Sequence, residues 1–243
     1  MPYESGKNYI RKENAYEILK AFSKEYRKKN GETPAEIIIV GGGSILLNYG
    51  FRDMTQDFDV MINSIGDFKD IVYKVADEYM LPNDWMNTDF TKTVSFSDKL
   101  RQVSTHYCSF NHGSVEIRTV KDEYLVAMKM MSARGYRNDI SDIIGVLIYA
   151  WKDGRRISAT QIEKAVDFLY EDKKTLISED LLRMVQDLTT KELDELNKIY
   201  QDEKKSEDEV RKEILAIDKN YPGTVKEDTV DSIVNTIRSR GRH

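Results

Sequence analysis

IIIVGGGSILLNYGFRDMTQDFDVMI, residues 37–62, holds two secondary-structure patterns and the break that joins them. Ile37-Ile38-Ile39-Val40 is a continuous β-branched run, as expected of a strand buried on both faces. It stops at Gly41-Gly42-Gly43, where the missing Cβ permits positive φ and lets the backbone approach a ligand. Ser44 then sets a hydroxyl at or near a helix start, backed by Ile45, Leu46 and Leu47. The N–H groups and dipole of such a terminus favour an anion.

In Asp57-Phe58-Asp59-Val60 the side chains of a strand would alternate, so both carboxylates share one face and Phe58 and Val60 the other. Two strand residues span roughly 6.6 Å, which lets both carboxylates reach one Mg²⁺ or a pair of ions. A bare pair of like charges raises its own pKa values, whereas a divalent cation removes that cost and bridges to phosphate oxygens. Taken singly, a glycine triplet after a strand is often only a turn, and Asp-x-Asp is frequent in acidic loops. A dinucleotide fingerprint fits poorly, because Leu46 stands where the third glycine belongs, and no Gly-Lys-Ser/Thr supports a Walker loop.

Gly42, Gly43 and Ser44, followed after a helix by Arg52, Thr55, Asp57 and Asp59, resemble the minimal nucleotidyltransferase signature of the DNA polymerase beta-like superfamily. The form VGGGSILLNYGFRDMTQDFDV is similar to a bacterial branch related to AbiEii and MenT-type toxins. Residues 120–143, VKDEYLVAMKMMSARGYRNDISDI, look like that branch's second block, a lysine helix followed by an arginine, Arg134, and an Asp-x-x-Asp element. By this resemblance Lys129 faces the nucleotide phosphates and Asp139 is a further active-site carboxylate, with Asp142 completing the element. The resemblance covers roughly residues 37–151.

Read by itself, the second block is a helix with Leu125, Met128 and Met131 at helical spacing, opened near Asp122 and ended near Gly135. Lys129, set among apolar neighbours, either snorkels to water or points at an anion. Asp139 and Asp142 are i,i+3 at the start of the next helix, where capping alone accounts for carboxylates. The superfamily's third carboxylate has one candidate here, Glu116 in Ser114-Val-Glu-Ile-Arg, which equally suits a pair with Arg118.

At 243 residues and 40% hydrophobic content, the chain can bury a real core. Its net charge of −5 argues against holding nucleic acid by bulk electrostatics. Local basic candidates are Lys99 with Arg101, Arg134 with Arg137, Lys152 with Arg155 and Arg156, and the terminal Arg238, Arg240 and Arg242. The single cysteine, Cys108, fits a reducing cytoplasm and a packing role. No run suits a membrane span, and the N-terminus lacks a signal-peptide core.

The punctuation predicts an α/β fold, a nucleotidyltransferase-like mixed β-sheet flanked by helices, in residues 1–151, and a helical C-terminal extension in 152–243. Helices are expected over 14–29 and 67–80, with strands at 93–96 and 102–110. Trp85 and Phe90 either line a base pocket or close a core edge. Capping boxes at Ser158-x-x-Gln161, Thr189-x-x-Glu192 and Ser206-x-x-Glu209 predict three or four helices over 158–217, then a break at Pro222-Gly223 and a last helix over 229–238.

The expected protein is a cytoplasmic, Mg²⁺- or Mn²⁺-dependent nucleotidyltransferase. It would move a nucleoside monophosphate from an NTP to an RNA, tRNA or protein hydroxyl, or to a small molecule. The toxin resemblance implies a toxin–antitoxin or phage-defence setting, with an antitoxin as a possible partner. The alternative is a nucleotide- or partner-binding module of the same fold without turnover.

Overall fold

A computed structural model describes residues 8–132, 139–225 and 229–240 of the chain. Arg134 and Arg137, and the side chains of Arg238, Arg240 and Arg242, lie outside the described residues.

The N-terminal part opens with a short strand β1 (Ile10–Arg11) and helix α1 (Lys12–Asn30), which the chain leaves through Gly31. The isoleucine run forms β2 (Ala35–Ile39), followed by α2 (Gly41–Asn48), β3 (Met54–Thr55) and β4 (Phe58–Asn63). Next come α3 (Lys69–Tyr79), β5 (Met86–Asn87), α4 (Leu100–Val103), β6 (Thr105–Phe110) and β7 (Val115–Thr119). The main sheet is mixed, in the order β5-β4-β2-β7-β6, with β2 antiparallel to β4 and parallel to β7.

Alternation along the strands divides the core. Ile37 and Ile39 of β2, Phe58 and Val60 of β4 and Ile117 of β7 point to the face covered by α1 and α3. Ile38, Val40 and Val120 belong to the opposite cluster, shared with α5 (Asp122–Ser132) and α6 (Asp139–Lys152). That cluster continues into α7 (Ala159–Tyr170), α8 (Glu179–Thr190) and α9 (Leu193–Asn220), reaching Leu196. Helix α7 packs on α5 and α9 on α6, while α10 (Val230–Arg240) closes on the end of α9.

Several sequence expectations are corrected here. Thr93-Val-Ser-Phe96 forms turns, because Thr93 Oγ1 bonds Phe90 O (2.7 Å) and Ser95 Oγ (2.9 Å). Such local bonds compete with a strand ladder. Trp85 is fully buried and donates its ring N–H to Val72 O at 2.9 Å, and Phe90 packs on Phe96, so both close core edges. The box at Ser158 forms as expected. Thr189 instead lies inside α8, bonded back to Gln186 O, and the box that opens α9 pairs Glu192 with Glu195. Ser206 sits within α9, which runs unbroken for 28 residues. Continuous helical packing on α6 prevails there over a local start signal.

Candidate active site

Val40 leaves the sheet as the N-cap of α2, so the three glycines form the first turn of the helix itself. Gly41 adopts φ +56°, which an L side chain would strain, and a Cβ there would stand 3.9 Å from Asp59 Oδ2. A Cβ on Gly42 would lie 2.9 Å from the Arg52 guanidinium. The turn is therefore bare where Asp59 and Arg52 approach it from two sides. First-turn amides of a helix lack intrahelical acceptors, and no side chain caps α2.

Ser44 departs from the role the resemblance gives it. Its hydroxyl is fully buried, donates to Ile39 O at 2.5 Å and accepts from Val120 N at 3.1 Å. It ties the end of β2 to the residue after β7, which fixes the turn from behind. Only the backbone of this turn faces the two charged side chains.

Asp57 and Asp59 are half-buried and flank the buried Phe58. Three bonds set their backbone: Val40 N to Asp59 O (2.9 Å), Phe58 N to Trp85 O (2.6 Å) and Thr55 Oγ1 to Asp57 O (3.1 Å). Thr55 thus acts on the loop before the first aspartate. Asn87 on β5 donates to Asp57 Oδ2 at 3.4 Å. Asp59 on β4, beside the glycine turn, and Asp57 just before the strand are oxygen donors that suit a hard cation, which would take its remaining oxygens from phosphates and water. Among the described residues, no group of three or more His, Cys, Asp or Glu side chains is arranged to hold a metal ion.

Behind this opening lies a buried ionic lattice. Arg52 donates to Asp142 Oδ2 at 3.0 Å, and Lys129 Nζ lies 2.7 Å from the same oxygen. Lys129 also donates to Asp139 Oδ1 at 2.8 Å, while Ser132 Oγ donates to Asp139 Oδ2 at 3.2 Å. The side chains of Asp139 and Asp142 are 3% and 1% exposed, against 22% for Arg52, so only the arginine reaches the opening. Burial disfavours the Lys129 charge, but Asp142 and Asp139 outweigh it and hold its pKa above the ordinary lysine value. Of the two sequence alternatives for Lys129, it points at anions, and they belong to the protein.

Glu116 does not join the pair. It stands beside Glu36 in the β2–β7 register, whereas Asp59 lies at the Val40 end, four residues along β2. At ~3.3 Å per residue that is roughly 13 Å. Glu116 instead accepts from Arg118 at 2.7 Å, and that hydrogen bond holds its carboxyl below the usual range against the opposing effect of burial. Among the described residues, most basic candidates are likewise engaged in structure. Arg101 pairs with Glu36 (2.6 Å), Arg155 with Asp122 and Asp153, and Arg156 with Glu192 and the Trp151 ring. Lys99 lies over the Phe168 ring. Burial pushes the Cys108 thiol up to about 11, which suits packing.

Sequence reasoning missed the contribution of α9. Tyr200 stacks edge-on against Phe51, and its hydroxyl is pushed up to about 12 by burial and the nearby Asp142, Glu207 and Asp53. Glu207 accepts from Ser141 on α6. Tyr200, Lys204 and Glu207 recur at i, i+4 and i+7, a polar stripe where an apolar one is expected. Placing a helix break at Ser206 hid it.

A family model described as "Nucleotidyltransferase of unknown function (DUF6036)" matches residues 17–205, which takes in both sequence blocks and the first half of α9. No curated protein and no solved structure matches the chain.

Proposed function

The chain belongs to this nucleotidyltransferase family, and on that premise we propose that it transfers a nucleoside monophosphate from an NTP to a hydroxyl acceptor at the Gly41–Asp59–Arg52 opening. The observation that carries the reading is the convergence of Asp59 and Arg52 on a helix turn left bare by glycine. The acceptor hydroxyl gives its proton to water as its oxygen forms a bond to the α-phosphorus, the bond from that phosphorus to the bridging oxygen breaks, and pyrophosphate leaves with the electron pair. Asp57 and Asp59 are the residues that would hold Mg²⁺ or Mn²⁺, which supplies charge neutralisation at the triphosphate when bound.

The first-turn amides of α2 and the Arg52 guanidinium take the phosphates. Lys129 works at one remove, holding Asp142 and through it Arg52. Asp139, in turn, holds Lys129. Catalysis by so few groups is mostly positioning and electrostatics. The resemblance to toxins directs the acceptor towards tRNA, another RNA or a protein hydroxyl, in a toxin or phage-defence setting with an antitoxin partner.

Incubating the protein with Mg²⁺ or Mn²⁺, each α-labelled NTP, and total cellular RNA and protein tests this. Label should enter one acceptor class and vanish in Asp57→Ala/Asp59→Ala. Transfer that survives the double substitution sinks the metal pair. The second reading, a nucleotide-binding module without turnover, is favoured by one observation: the Ser44 hydroxyl and Lys129 ammonium are both committed within the protein. NTP binding with no transfer to any acceptor would decide for it.

A further inference from the structure

Helix α6 begins at Asp139, and its first turn carries both carboxylates of the ionic lattice. Two bonds reach that turn from 66 residues away: Ser141 N donates to Glu207 Oε1 at 3.3 Å, and Ser141 Oγ donates to Glu207 Oε2 at 2.6 Å. Both partners are buried, Ser141 completely, and the Glu207 side chain is 5% exposed. Lys204, one turn back on α9, lies 3.9 Å from Glu207 Oε2.

This contact is poorly explained as core packing. A glutamate at a core-facing position of α9 costs desolvation that an apolar residue avoids, unless its oxygens are used. Here they are used on the one turn whose placement decides where Asp139 and Asp142 stand. We propose that Glu207 is a positioning residue for the active site, reaching from α9 to cap the first turn of α6 and so fixing Asp139 and Asp142, and through them Lys129 and Arg52. The inference rests on the nucleotidyl-transfer reading for its catalytic consequence, while the cap itself is independent of that reading. It also gives α9 a task beyond covering the core: the helical C-terminal part sets the geometry of the phosphate-binding arginine.

Four proteins test it: wild type, Glu207→Ala, Glu207→Gln and an exposed α9 control, Glu209→Ala. Amide hydrogen exchange is followed in peptides covering residues 139–146, and NMP transfer is measured as kcat and as KM for NTP. Glu207→Ala should exchange faster at the first turn of α6 and lose about tenfold or more in kcat, since small misplacements of binding groups are costly in rate. Glu207→Gln keeps an acceptor for Ser141 N and should restore both, and Glu209→Ala should match wild type. Exchange and kcat unchanged in Glu207→Ala overturn the proposal, and so does a glutamine variant as impaired as the alanine. If Glu207→Ala does not fold, Ser141→Ala removes the shorter bond from the other side and should show the same faster exchange. If wild type transfers no nucleotide to any acceptor, the catalytic reading fails on its own. The exchange measurement needs no turnover and still decides whether Glu207 holds α6.

Discussion

On the sheet face that carries Asp59, two groups of charged side chains occupy opposite ends. At the Glu36 end, Arg118 bonds Glu116 at 2.7 Å and lies near Glu36, with Arg101 and His106 at the rim. At the Val40 end, Arg52, Asp142, Lys129 and Asp139 make a similar set of contacts, between 2.7 and 3.0 Å. The shortest distances barely differ, but the burial does. Glu116 and Arg118 side chains are 33% and 22% exposed, against 11% for Lys129 and 1% for Asp142. Solvent screens the first group, so it is worth little and can be rearranged cheaply. The second is placed where each charge depends on its partner, and a protein retains that arrangement at a cost in desolvation. Ion-pair geometry alone therefore does not mark a site; the lattice is distinguished by burial and by ending on the bare turn of α2.

The largest way to break this contrast is Lys129→Met, which leaves Asp139 and Asp142 buried together, with Arg52 still bonded to Asp142. The expected loss is about 3–5 kcal/mol, the usual scale for removing one partner of a buried pair. Chemical denaturation reads it. A loss under about 1 kcal/mol would place Lys129 with the solvent-screened group and remove the distinction.

The next effect is a pH dependence. Burial, only partly offset by the Ser141 bonds and Lys204 and reinforced by Glu203, pushes Glu207 up to about 7 from its ordinary 4.5. Between these values the folded state binds a proton that the unfolded state does not, so this group's contribution is full below about pH 4.5 and declines towards pH 7. The decline amounts to about 3 kcal/mol at most. Glu207→Gln should flatten stability against pH across that window, measured by denaturation at several pH values. An unchanged slope would show that Glu207 titrates normally.

Arg52→Lys follows. A point charge cannot span both Asp142 and the glycine turn as the guanidinium fork does. NTP affinity should fall by about tenfold, equivalent to about 1.4 kcal/mol, with stability nearly kept because Arg52 is the lattice member open to solvent. Equal affinity in a calorimetric titration would take Arg52 out of the phosphate site.

The sequence made the strand–turn–helix–strand unit legible because its signals are local: a β-branched run, residues without Cβ, and alternation around Phe58. It also showed the mixed sheet and the helical C-terminal part. What it could not show were choices decided by distant partners. Whether Lys129 meets a nucleotide or the protein's own carboxylates depends on how α6 lies against α5. That Ser44 turns inward depends on where β7 ends. Glu207 is invisible for the same reason, since its meaning lies in an amide 66 positions away.

The smallest effect separates the two ends most cleanly. Glu116→Gln removes a carboxylate whose charge is held mainly by Arg118, so its stabilisation is present above the ordinary glutamate pKa and fades as pH falls through the lowered one. On a partly exposed strand pair this is worth within about 1 kcal/mol at neutral pH. Glu116 also lies four residues along β2 from the level of Asp59, with Glu36 as its register neighbour, so transfer activity should be unchanged. If Glu116→Gln abolished labelling while leaving stability intact, a third active-site carboxylate would have to be sought at the Glu36 end. The solvent-screened cluster would then be part of the machinery, and burial would lose its value as the criterion that tells the two groups apart.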